Sequence, residues 1–130
     1  MYKIEKRPSG YLMQFSGNIS LPEIQQWHDE LQVVFKTEKG AFWLIADMCD
    51  LNPLAKEVEN VLFSGMQQYK QLHSGQRSAV VMNSPVALAQ VKKLGQKAGI
   101  TTERYINATL DKKAAIQKAI NWVKNGVEPK

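Results

Sequence analysis

The sequence predicts an α/β domain built on a mixed five-stranded sheet with four helices, in which an N-terminal β-hairpin is followed by αβ repeats. Three observations lead there. The stretch AFWLIA, residues 41–46, is continuously apolar and stops at Asp47, and RSAVVM, residues 77–82, is a second short run of the same kind. Runs this short, rich in bulky residues and bounded by turn chemistry, read as strands buried on both faces. Each is followed by a helix-opening signature, Asn52-Pro53 after the first and Asn83-Ser84-Pro85 after the second. Strands alternating with helical patterns imply a parallel core, to which the hairpin adds an antiparallel strand.

Taken in order, Tyr2–Lys6 and Tyr11–Ser16 alternate, with Tyr2 and Ile4 on one face and Tyr11, Met13 and Phe15 on another. Pro8-Ser9-Gly10 between them supplies the turn. Ser20-Leu21-Pro22-Glu23 is a capping box with proline in the first turn, and Ile24, Trp27, Leu31, Val34 and Phe35 form the buried stripe of the helix it opens. Lys39-Gly40 closes the connection to the Ala41–Asp47 strand. The second helix is expected from Asn52-Pro53 to about His73, stopped by Ser74-Gly75, with Leu54, Val58, Val61, Leu62, Gly65, Tyr69 and Leu72 inward. Ser84 caps a third helix that buries Ala87, Val91, Leu94 and Ala98 and ends at Gly99. Glu103–Ala108 is the last strand. Asp111 caps a final helix with Ala115, Ile116, Ala119, Ile120 and Val123 inward, closed by Asn125-Gly126.

At 130 residues the chain reads as one domain, 1–126, with 127–130 as a loose tail. Apolar content of 44% and charged content of 22% are those of a soluble globular protein. No run approaches the roughly 18 apolar residues of a membrane span, and the charged start MYKIEKRPSG lacks the apolar core of a secretory signal. The one cysteine, Cys49, cannot form an internal disulfide, so a cytoplasmic location is expected. The net charge of +5 is uneven. Residues 1–90 carry eight basic and nine acidic side chains, whereas residues 91–130 carry nine basic and three acidic. Such a half suits an anionic membrane surface, an acidic partner or nucleic acid, or simply gives two surface helices solubility. Lysine dominates and no aromatic residues interleave with it to stack bases, which disfavours nucleic acid.

The element order, with three local features, resembles the STAS family, the fold of bacterial anti-sigma-factor antagonists. The hairpin leading through Phe15-Ser16-Gly17-Asn18-Ile19 to a capped helix is similar to that family's opening. The apolar strand ending at Asp47 is similar to its central strand, and Arg77-Ser78-Ala79-Val80-Val81 stands where its next strand belongs. Arg104-Tyr105-Ile106, followed by an alanine-rich helix ending in Asn121-Trp122-Val123, is similar to the way the SpoIIAA-like branch finishes, a branch that is distantly like the CRAL-TRIO lipid carriers. The resemblance implies a non-enzymatic regulatory module that binds a protein partner. One departure matters. Regulated antagonists carry an Asp-Ser-x-Gly-like element after the central strand, and its serine is the phosphorylated switch. Here the region reads Asp50-Leu51-Asn52-Pro53-Leu54-Ala55-Lys56, with no hydroxyl to take a phosphate.

The candidate site is the crevice at the carboxyl end of the central strand, where open α/β sheets place function. Asp47 and Asp50 are candidate ligand or partner contacts there, or else pin the turn through its own backbone. Two acids make a poor metal set, and none is expected. Cys49 lacks a visible base and reads as a small buried hydrophobe. Asn52, and Asn83 with Ser84, mark two helix starts whose free N–H groups suit a carboxylate or phosphate, or merely cap. Phe63 falls off the second helix's stripe. With Leu54, Met66 and Leu62 it lines an apolar groove for a partner, small ligand or bilayer, unless a neighbouring helix covers it. His28 and His73 read as structural, His73 as a cation at a helix C-terminus. The three tryptophans read as core anchors whose indole N–H groups find carbonyls. No catalytic residue or cofactor is expected. The leading expectation is a cytoplasmic interaction module for a protein partner or a small apolar or anionic ligand. The alternative is a peripheral membrane protein using the basic C-terminal helices and the second helix.

Overall fold

The computed structural model describes residues 1–130 except Lys39, Ser74 and Gly75. The helix stops expected at Lys39-Gly40 and Ser74-Gly75 therefore lie partly or wholly outside the described residues. The elements are β1 (Tyr2–Arg7), β2 (Gly10–Phe15), α1 (Leu21–Thr37), β3 (Trp43–Asp47), α2 (Lys56–Leu72), β4 (Ser78–Met82), α3 (Pro85–Ala98), β5 (Glu103–Asn107) and α4 (Lys112–Asn125). They form one sheet in the order β1-β2-β3-β4-β5, antiparallel only between β1 and β2. This is the α/β architecture that the alternation predicts.

Neighbouring parallel strands follow one another in sequence, so every crossover steps the same way. Such connections are right-handed, which places their helices on one face of the sheet. Accordingly α1, α2 and α3 enclose one core with Met13, Phe15, Leu44, Ala46, Val80 and Met82. The opposite face is left to α4, which packs Ala115, Ala119, Trp122 and Val123 on Trp43, Ile45, Ala79, Val81 and Ile106. β3 and β4 are buried at every position because both faces are covered.

The caps bear out the sequence at three helices. Ser20 and Glu23 form a complete capping box, Ser84 accepts from the Ala87 amide, and Asp111 accepts from that of Ala114. Gly99 and Gly126 end α3 and α4 in the left-handed conformation. The fourth helix start differs. α2 begins at Lys56 rather than Asn52-Pro53, and Ala55 at its N-cap makes no side-chain hydrogen bond. Leu72, expected inward, is 60% exposed.

The tryptophans divide. Trp122 donates to the carbonyls of Ser78 and Thr102 at 3.0 and 3.2 Å, whereas Trp27 donates to the Met13 sulfur at 3.3 Å. The buried Trp43 indole N–H has no partner among the described residues. Its ring instead lies across Gly10 on the neighbouring strand, so close that any Cβ there would overlap it. In residues 127–130 Glu128 pairs with Arg104 at 2.8 Å.

The Gly10 contact yields a direct expectation. Gly10→Ala forces the Trp43 ring out of a packed core and should destabilise the protein by about 2 kcal/mol or more in urea unfolding. A loss under about 0.5 kcal/mol would show that the ring is free to move.

Candidate functional site

Three loops meet at the carboxyl ends of the parallel strands: residues 48–55 after β3, Asn83-Ser84 after β4, and residues 108–111 after β5. Asp47 ends β3 almost fully buried. One carboxylate oxygen accepts from the Cys49 amide at 3.1 Å and the other pairs with Lys112 of α4 at 3.0 Å. Both oxygens are thus engaged, and Asp47 pins α4 and the loop to the central strand. Cys49 is buried against the same core. Desolvation, with the Asp47 carboxylate beside it, pushes its thiol up to about 12, so it is not a ready nucleophile.

Asp50 is exposed and left-handed, with φ of 62°. Its amide donates to the Asn83 side-chain oxygen at 2.8 Å, and the Asn83 amide group donates back to its carboxylate at 2.9 Å. This reciprocal pair joins the loops after β3 and β4. The chain then runs extended. Leu51 bridges to Gly17, the Asn52 amide donates to the Gly17 carbonyl at 3.0 Å, and its side chain donates to Asn18 at 2.9 Å. Gln90 of α3 clamps Leu54 from both sides, accepting from its amide at 2.8 Å and donating to its carbonyl at 3.0 Å. These partners satisfy groups that a helix starting at Asn52 would have used, which is why α2 begins one turn later. Asn52 is a loop residue, and the first of the two expected helix starts moves to Ala55-Lys56, where no side chain caps it.

The apolar candidates are mostly inside. Leu54 is buried under the loop, and Phe63 is half-buried against the core with the Lys97 ammonium 4.8 Å from its ring centre. α3 covers it. Met66 and Leu62 face a narrow internal space of about 40 Å³, room for a few waters. Asp50 and Asn52 therefore remain exposed and Asn83 and Ser84 half-buried, joined by the exposed Pro53, Ala55 and 60%-exposed Val86, with the fully exposed Leu110 on the third loop. Beside them, on the α4 face, an open groove of about 370 Å³ is lined by Lys3, Gln14, Asp47, Asp50 and Lys112.

Sequence reasoning missed Gln90 and Lys112, whose partners lie far away in the chain, and also Glu103. The Glu103 carboxylate accepts from the hydroxyls of Ser78 at 2.9 Å and Tyr105 at 2.6 Å, and Gly95 leaves room for this cluster beneath α3. His28 meets the Ser64 hydroxyl at 3.3 Å. His73 caps α2 among the rings of Phe35, Phe42 and Tyr69, where burial lowers its pKa from 6.5, so the cation expected there is disfavoured. Among the described residues no three His, Cys, Asp or Glu side chains converge as metal ligands, and no helix is long and apolar enough to cross a membrane.

A hairpin leading into αβ repeats, with a fixed loop between the central strand and α2, is the arrangement that the sequence resemblance to the STAS family implies. No protein-family model matches the sequence, and no curated protein matches it at a significant level. Among solved structures, an anti-sigma factor antagonist from Mycobacterium paratuberculosis is similar over 92% of this chain and 93% of its own, with a TM-score of 0.62 and 14% sequence identity. At that identity the likeness establishes the fold, as the sequence resemblance implies.

Burial pushes the Glu103 carboxyl above its ordinary 4.5, against the two hydroxyls that favour its charge. The folded protein then holds this proton more tightly than the unfolded chain. Stability attributable to Glu103 should fall as pH rises from about 4.5 through the raised value. Urea unfolding between pH 4 and 8 should show a shallower decline for Glu103→Gln than for the parent protein. Identical slopes would mean that the carboxylate is charged at no cost where it sits.

Proposed function

We propose that this protein is a non-enzymatic regulatory module of the STAS type, acting in the cytoplasm, whose carboxyl-end loops recognise a protein partner. The observation that carries the reading is the mutual locking of those loops. Asp50 with Asn83, and Leu54 with Gln90, hold an otherwise irregular segment in one shape. Each such bond contributes about 1 kcal/mol net, and a surface fixed before binding has less entropy to lose on association. Around the lock stand exposed polar and apolar groups, Asp50, Asn52, Pro53, Val86 and Leu110, the mixture found at protein interfaces. The solved structure described above is that of an anti-sigma factor antagonist, which supports a protein partner here also.

Phosphorylation is not the switch at this loop, because residues 50–56 carry no hydroxyl. A small apolar ligand has less in its favour, since the internal space of about 40 Å³ is far below the roughly 300 Å³ that drug-sized ligands need. An anionic ligand also has less in its favour, since the Ser84 hydroxyl is committed to its cap and the first turn of α2 carries Glu57 and Glu59. Membrane insertion through Phe63 is disfavoured by the covering of that ring.

A photo-reactive residue placed at Asn52 or Val86 should give a discrete covalent adduct with one protein in the source cell. The same group at Lys118 on α4 should not. Leu110→Asp, at a fully exposed position, should then reduce the Val86 adduct severalfold without altering the melting temperature by more than a few degrees. Adducts of equal yield at all three positions would contradict the assignment of the surface.

A further inference from the structure

Arg104, part of the basic excess beyond residue 90, meets Arg77 at the amino ends of β4 and β5, the end of the sheet opposite the loops above. There the Arg104 guanidinium lies 4.1 Å from the centre of the Trp122 ring, and that of Arg77 approaches the same indole at 5.6 Å. Trp122 is fixed by burial and by its bonds to the Ser78 and Thr102 carbonyls. Arg104 is fixed as well, since its Nη1 donates to the carbonyls of Thr101 at 3.1 Å and Glu103 at 3.2 Å. Stacking and backbone anchoring together set the guanidinium plane. They leave its Nε and Nη2 edge as a preformed fork of the geometry that matches a carboxylate.

That fork is filled by the chain itself. Nε donates to one oxygen of Glu128 at 2.9 Å and Nη2 to the other at 2.8 Å. Glu128 lies beyond the left-handed Gly126 that ends α4, and its side chain is 52% exposed. Arg77 stands beside Gly126, where an added Cβ would fall 2.8 Å from its Nη2. Among the described residues Arg77 makes no ion pair and no side-chain hydrogen bond. One arginine of the pair therefore holds an exposed carboxylate and the other holds none.

We propose that Arg77, Arg104 and Trp122 form a docking site for an acidic segment of a protein partner, with Glu128 as an internal occupant that the segment displaces. Three features favour this occupant. The group already seated is a carboxylate presented by the non-helical segment that follows α4, so the geometry is tested within the chain itself. A second guanidinium lies over the same ring, which suits successive acidic residues. The surroundings are cationic, with Lys124 in the last turn of α4 and Lys130 acting on Glu128. Displacement is open to a partner because the Glu128 side chain is half exposed and one bidentate carboxylate exchanges for another of the same kind. This surface is separate from the carboxyl-end loops and stands or falls independently of them.

The test is a fluorescence-anisotropy titration of labelled hexaglutamate with the full chain, E128Q and E128Q/R77Q, at low and moderate salt. Freed of its competitor, E128Q should bind the peptide about fivefold more tightly than the parent protein, and adding R77Q should abolish the gain. Equal affinity of the parent protein and E128Q overturns the role of Glu128. This variant changes only an exposed tail residue, so misfolding will not obscure the result. Undiminished binding by E128Q/R77Q overturns the site. A preference of E128Q for phosphatidylserine vesicles or for a single-stranded oligonucleotide over the peptide overturns the class of partner.

Discussion

Right-handed crossovers between strands that lie side by side in chain order leave little freedom in this architecture. Once β2, β3, β4 and β5 are laid down in sequence, α1, α2 and α3 share one face, and α4 has to close the other alone. A single helix covers β3 to β5 and leaves the β1–β2 side of that face more open, which is where the groove lined by Lys3, Gln14 and Lys112 lies. The same constraint puts the loops after β3, β4 and β5 together at one end of the sheet. It also turns the C-terminus of α4, with Trp122 and Gly126, toward the other end.

At the loop end, side chains do the work that secondary structure does elsewhere. Residues 51–55 belong to no helix and only bridge to Gly17, yet their polar groups are taken up by Gln90, Asn18 and the Gly17 backbone. Asp47 contributes from below, buried and held by Lys112 and the Cys49 amide. Removing Lys112 would leave a buried carboxylate short of its counter-ion, so this residue matters to the platform although it is far from it in sequence.

The elements were legible because burial imposes a pattern, an unbroken apolar run in β3 and β4, which are covered on both faces, and a helical stripe at Ile24, Trp27, Leu31 and Val34. Ser20, Ser84 and Asp111 were legible because a cap acts on an amide three residues away. The start of α2 was not. Asn52-Pro53 has the local form of a helix opening, but Asn18 and Gln90 compete for the same groups from about 35 residues away, and a local pattern cannot show them. The candidate site divides along the same line. Asp50 and Asn52 are exposed and Asn83 and Ser84 half-buried, as their loop positions suggest. Asp47, Leu54, Phe63 and Met66 were drawn inward by Lys112, Gln90 and α3, contacts that exist only in the folded chain.

The central claim is that the loop between β3 and α2 is rigid before any partner arrives. Amide hydrogen exchange at Asp50 and Leu54 tests it most directly, because both amides lie outside helices and strands, and each donates to a side chain at 2.8 Å. Both should exchange at least about tenfold more slowly than an unstructured chain, and Gln90→Ala should release Leu54 while leaving Asp50 protected. Exchange of both amides at the unstructured rate in the parent protein would show a mobile loop and contradict the account.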